Sequence, residues 1–134
     1  MKEMPEKIIL HEVVPASPTA VYNAWMDGGE HSKFTGQIAK IEREIGGDFT
    51  AGDDYITGKT LELETDRRIV QSWRSTDVPD GAGDSLLEIM LEKTGRGTEL
   101  TLIHSEIPDG QGSYYEQGWK DYYFKPMIEY FNKR

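Results

Sequence analysis

Three histidines, His11, His31 and His104, and a surplus of acidic side chains are the groups in this 134-residue chain that could do chemistry near neutral pH. Imidazole is the side chain whose ordinary pKa lets it take and give protons there. The three histidines are scattered without metal-ligand spacing, and "HEVV" (11–14) lacks the second histidine of a zinc-binding helix. His104 stands apart because it falls on the inward parity of a predicted strand. It either presents an imidazole to a cavity or sits buried on a backbone or hydroxyl partner.

Other chemistries find less support. "GDDYITGKT" (52–60) approaches the phosphate-binding loop but has five residues between its glycines where that loop has four. Strand-like sequence follows it instead of a helix N-terminus, so it reads as a hairpin strand with Gly58 at a bulge. Glu62 and Glu64 share a strand face opposite Leu61 and Leu63, Asp53 and Asp54 sit in a turn, and Asp77, Asp80 and Asp84 line a loop. Carboxylates placed this way read as solvated, with no burial to split a pair into acid and base. No G-x-S-x-G elbow occurs, and the absence of cysteine removes thiol nucleophiles and thiolate metal sites. No catalytic residue, metal site or cofactor is assigned.

The totals narrow the partners. With 15 basic against 24 acidic residues the formal charge is −9, and no lysine or arginine block offsets it. Such a chain is a poor nucleic-acid binder, and anionic membrane surfaces repel it. No apolar run is long enough to span a bilayer, and the start lacks a secretory signal. A cytoplasmic location is the expectation.

The elements that must position these groups follow from pattern. "KIILHEVV" (7–14) is a strand. Ser17 caps a helix with Pro18 at its first position, and Val21, Ala24 and Trp25 share one face. Gly28 and Gly29 stop that helix, and "EHSKF" (30–34) adds a short second one before Gly36. "QIAKIERE" (37–44) is a strand, and a turn around Gly52–Asp54 joins two more. "RRIVQSWRS" leads into a loop of turn formers. In "SLLEIMLEKT" and "TELTLIHSEI", joined by "GRG", Leu87, Ile89, Leu91, Leu100, Leu102 and His104 take the inward parity.

The chain closes on "SYYEQGWKDYYFKPMIEYF" (113–131), dense in aromatic residues. Ser113 and Glu116 form a capping box, so a helix should start near Tyr114. At about 100° per residue, Tyr115, Trp119, Tyr122, Tyr123, Pro126 and Tyr130 share a face, with Met127 and Phe131 beside it. Phe124 and Ile128 lie off that face as candidates for a protein contact. Gly118 suggests close approach to a neighbouring segment. Pro126 should bend the helix by removing a bond to the Tyr122 carbonyl.

Strands closed by a segregated helix argue an α+β domain over 1–134. "SPTAVYNAWMD", "FTG", "REIGGDF", "SWRS", "TELTLIHSEIP" and "GWKDYYFKPMIEYF" together resemble the C-terminal domain type of the activator of heat-shock protein 90 ATPase homologues. That family belongs to the START-like (SRPBCC, Bet v 1-like) superfamily. The resemblance covers nearly the whole chain in the family's order and implies a helix-grip fold. A curved antiparallel sheet of about six to seven strands would pack on a long C-terminal helix, with two short helices after the first strand. The strand-to-helix pattern begins almost at Met1, so the activators' separate N-terminal domain is expected to have no counterpart.

For function, the resemblance implies a non-enzymatic domain holding a hydrophobic small molecule between sheet and helix. Trp25, Phe34, Phe49, Trp73, His104, Trp119, Tyr123 and Met127 are the candidate lining residues. Two alternatives stay open: a co-chaperone that binds heat-shock protein 90 and modulates its ATPase, and a cyclase- or hydratase-like enzyme using the same pocket with His104 as base.

Overall fold

The computed structural model describes residues 5–133. Strand β1 (Glu6–Val14) is followed by α1 (Pro18–Met26) and α2 (Gly28–Thr35). Six strands come next: β2 (Lys40–Ile41), β3 (Asp48–Ala51), β4 (Ile56–Glu64), β5 (Arg68–Ser75), β6 (Ser85–Thr94) and β7 (Gly97–Ile107). The C-terminal helix runs as α3 (Gly112–Trp119), a π turn (Lys120–Phe124) and α4 (Lys125–Asn132). All strand pairs are antiparallel, in the order β1-β7-β6-β5-β4-β3-β2. This is the helix-grip fold. No helix among the described residues is long and apolar enough to cross a membrane.

The inward parity of the central strands holds. Leu87, Ile89, Leu100, Leu102 and His104 are all essentially inaccessible and form the floor of the core. The first helix also follows its signals: the Ser17 side chain accepts from the Ala20 N–H at 3.1 Å, and Val21, Ala24 and Trp25 are buried. It ends at Met26, and Gly28 and Gly29 open α2 instead of lying between the helices. Asp27 is the reason, since its carboxylate caps the second helix at the Glu30 N–H, 3.2 Å away. Gly28 also allows close packing, because a Cβ there would lie 3.1 Å from the Ala39 carbonyl oxygen.

Two strand expectations change. "QIAKIERE" contributes only Lys40 and Ile41 to the sheet. Glu42–Gly47 then folds into turns that return to β4, where Gly46 N–H donates to the Thr60 carbonyl at 2.7 Å. The bulge in β4 falls between Thr60 and Glu62 and not at Gly58. Gly58 stays in register opposite Phe49, where a Cβ would come within 2.0 Å of the Ser72 carbonyl oxygen.

The C-terminal helix departs most from expectation. It starts at Gly112, before the Ser113–Glu116 capping box, and the side chain of its N-cap residue, Gln111, makes no capping bond. The Gly112 N–H instead donates to the Glu6 carboxylate at 2.6 Å, which anchors the helix start to β1. Tyr115, Trp119, Tyr123, Met127 and Phe131 are the buried ladder, each four residues after the last. In an uninterrupted α-helix that ladder would swing through about 160°. The π turn adds a residue in the middle and returns roughly 100° of it. The same reset turns Tyr122 outward, 69% exposed, and Phe124 inward, 2% exposed. Tyr122 therefore leaves the core face, and Phe124 has no surface to offer a partner. Pro126 sits at the start of α4, directly after the π turn, where its missing N–H is absorbed.

Candidate functional site

The space between sheet and C-terminal helix is filled by aromatic rings. Trp119 stacks on Trp25 with centroids 6.1 Å apart and planes inclined by 29°. Tyr123 lies 5.2 Å from Trp25 and 4.8 Å from Trp119, and Trp73 meets Trp119 at 5.7 Å. Such pairs contribute about 0.5–1.5 kcal/mol each beyond the area they bury. The space left beneath Trp119 and Tyr123 is about 10 Å³, bounded also by Trp25, Phe49, Gln71 and Leu87. That is room for one water at most.

Polar groups lock this filling in place. His104 is inaccessible and uses both ring nitrogens. Its Nδ1 accepts from the Trp119 indole N–H at 3.1 Å. The Ser85 hydroxyl donates to the Trp73 carbonyl at 2.8 Å, so at its 2.7 Å contact with His104 it accepts from Nε2–H. The tautomer is thereby fixed, and no nitrogen remains to take a proton from a bound molecule. Burial lowers the His104 pKa from 6.5 to about 3.

His31, on α2, is held in a similar way. One ring nitrogen lies 2.9 Å from the Trp25 carbonyl, to which it can only donate, so the other accepts from the Tyr123 hydroxyl at 2.9 Å. Burial lowers its pKa to about 4, against the opposing bond to Trp25, and burial pushes the Tyr123 phenol up. On β5, the buried Gln71 accepts from the Trp25 indole N–H at 3.2 Å and donates to Thr60 Oγ1 at 3.2 Å. Among the described residues, every buried side-chain nitrogen and oxygen has a partner.

The open space lies outside this filling. A cleft of about 350 Å³ runs between the end of α2, the β3–β4 turn and the outer side of α3 and the π turn. Trp73, Trp119 and Tyr123 reach both this cleft and the small void within. Trp25 and Phe49 border only the void, while Phe34, His104 and Met127 border neither. The eight candidate residues thus divide between the cleft's inner wall and the packed core.

Tyr55, Tyr114 and Tyr122 form the cleft's outer wall and were not among the candidates. Tyr55 follows a turn in which Gly52, Asp53 and Asp54 all have positive φ (62°, 57° and 71°), and that turn aims the ring across toward Tyr114. Tyr55 OH donates to Asp77 at 2.5 Å and lies 3.5 Å from Tyr114 OH. Burial, with Asp77 as acceptor, pushes the Tyr55 phenol up. Tyr115 OH donates to Gln111 at 2.9 Å and takes a bond from Ser75 at 2.6 Å. Gly118 lines the cleft and does not abut another segment, since a Cβ there would meet only Tyr122 Cδ2 at 4.0 Å. The aromatic-rich turn-and-helix pattern was visible, but the Tyr55–Tyr114 meeting joins residues 59 apart and has no local signal.

Known proteins share this architecture and sequence. A Homo sapiens protein, activator of 90 kDa heat shock protein ATPase homolog 1, is 30% identical over 125 residues, which are 93% of this chain and 37% of that protein. The chain thus spans little more than a third of that relative's length. An HSP90 activator from Plasmodium falciparum superposes with a TM-score of 0.79 at 22% identity, covering 97% of this chain and 96% of that one. A Chromobacterium violaceum protein of known structure gives a TM-score of 0.75 at 27% identity over 92% of this chain and 94% of that one. Residues 15–132 match the family described as "Activator of Hsp90 ATPase homolog 1-like protein", and the chain belongs to that family.

Proposed function

We propose that this domain binds a small, mostly apolar molecule in the cleft between the β3–β4 turn and the C-terminal helix. One observation carries the reading: the interior is filled, yet a cleft of about 350 Å³ remains beside it. Its size lies at the lower end of the roughly 300–1,000 Å³ typical of small-molecule sites. Half of its lining residues bear aromatic rings, which offer stacking area at low conformational cost. Binding at the outer wall leaves the Trp25–Trp119 stack intact, so the protein needs no rearrangement to accept a ligand.

Titration of 4-tert-butylphenol followed by protein NMR tests this. Saturable shifts at Tyr55, Tyr114 and Gly118, abolished by Gly118→Leu, support the reading. Absence of any shift up to millimolar ligand contradicts it.

A second reading rests on the family match over residues 15–132: association with a heat-shock protein 90 type chaperone and modulation of its ATPase. The acidic surface of this chain would complement a basic patch on such a partner. Adding the purified domain to the chaperone and following ATP turnover tests it; unchanged turnover at micromolar excess counts against it. Catalysis through His104 is not proposed, because both of its ring nitrogens are engaged within the core.

A further inference from the structure

We infer that the cleft selects organic cations, specifically aryl or small alkyl quaternary ammonium groups, over neutral and anionic molecules of similar size. This rests on the reading of the cleft as a small-molecule site and adds the chemical class of its ligand.

Among the described residues that line the cleft, Asp121 is the one charged side chain, and there is no lysine, arginine or histidine. An anion would therefore depend on neutral hydrogen-bond donors, and six of those are committed elsewhere. The Tyr55 hydroxyl donates to Asp77, that of Tyr115 to Gln111 and that of Tyr123 to His31. The Trp119 indole N–H donates to His104, and Gln117 donates to the Asp121 carboxylate at 2.9 Å. Thr35 donates to the His31 carbonyl at 2.8 Å.

What remains is ring face, the Asp121 carboxylate and a few neutral donors, those of Tyr114, Tyr122, Gln37 and Trp73, with no fixed cation beside them to hold an anion. A cation over a tyrosine or tryptophan face is attracted by the ring quadrupole, and a quaternary ammonium needs no hydrogen-bond acceptor to satisfy it. Tyr122, 69% exposed, and Tyr114, 61% exposed, present their rings at the mouth, with Asp121 beside Tyr122 on the same helix. The bond from Gln117 holds the Asp121 carboxylate on this wall. The formal charge of −9 adds a general attraction for cations.

The test uses three para-substituted phenols: 4-hydroxyphenyltrimethylammonium, its neutral isostere 4-tert-butylphenol, and the anionic 4-hydroxybenzoate. Dissociation constants come from NMR titration of the full chain at low salt. The cation is expected to bind about threefold to thirtyfold more tightly than its isostere. Asp121→Asn and Tyr122→Leu, both at exposed positions the fold does not need, should each shrink that ratio. A ratio within twofold, or tighter binding of the benzoate, overturns the cation preference while the cleft reading stands. A ratio that both variants leave unchanged also overturns it. Failure of all three compounds to shift cleft resonances overturns the inference and the reading beneath it.

Discussion

The indole N–H of Trp119 donates to Nδ1 of His104 across 3.1 Å, tying the C-terminal helix to β7 at the centre of the core. This bond requires a neutral imidazole, and so does the bond that His31 accepts from Tyr123. Both rings therefore stay uncharged in the fold, and stability should depend on pH below neutrality.

Each histidine has a folded-state pKa below its unfolded value of 6.5: about 4 for His31 and about 3 for His104. Below pH 6.5 the unfolded chain gains protons that the folded chain does not, so stability is full above that value and falls with acidification. Each histidine removes about 1.4 kcal/mol per pH unit until its folded pKa is passed, His31 first and His104 last. Between pH 7 and pH 5 the expected loss is roughly 3–4 kcal/mol. Urea midpoints at the two pH values measure it, and equal midpoints contradict it.

Ser85 completes the network by accepting from His104 and donating to the Trp73 carbonyl. Ser85→Ala leaves two buried polar groups short of a partner. The expected cost is about 1–3 kcal/mol in chemical denaturation. Cleft binding should persist, because Ser85 does not line the cleft.

Two glycines should respond in opposite ways to alanine. At Gly58 a Cβ would sit 2.0 Å from the Ser72 carbonyl oxygen and 2.6 Å from the Phe49 ring, so strands β4 and β5 must part. Gly58→Ala is expected to destabilise by several kcal/mol or to prevent folding. At Gly118 a Cβ meets only Tyr122 at 4.0 Å, and its position inside a helix favours alanine. Gly118→Ala should stabilise by about 1 kcal/mol while narrowing the cleft. Thermal melts of both variants check the pair, and a destabilised Gly118→Ala would contradict the open placement.

Much of the fold was legible because strand parity and helix caps are local. Leu87 to Leu91 and Leu100 to His104 alternate cleanly, and Ser17–Pro18 announces α1. The aromatic ladder was legible only in part. A uniform 100° spacing places Tyr122 inside and Phe124 outside, and the π turn before Pro126 reverses both. The helix start was misplaced because Glu6, over a hundred residues away, supplies the cap. The site was less legible still. Trp73, Trp119 and Tyr123 could be grouped as inward aromatics, but whether inward rings enclose space or fill it depends on how Trp25 and Trp119 stack. Tyr55 and Tyr114 become neighbours only once the β3–β4 turn folds toward α3.

A closed core beside an open outer cleft makes the cleft the place where small molecules bind. Residue-resolved NMR shifts on titration with 4-tert-butylphenol test it most directly. Saturable perturbations are expected to concentrate on Tyr55, Tyr114, Gly118 and Tyr122, with Leu102 and His104 unmoved. Perturbations centred on Leu102 and His104, or none at millimolar ligand, would contradict it.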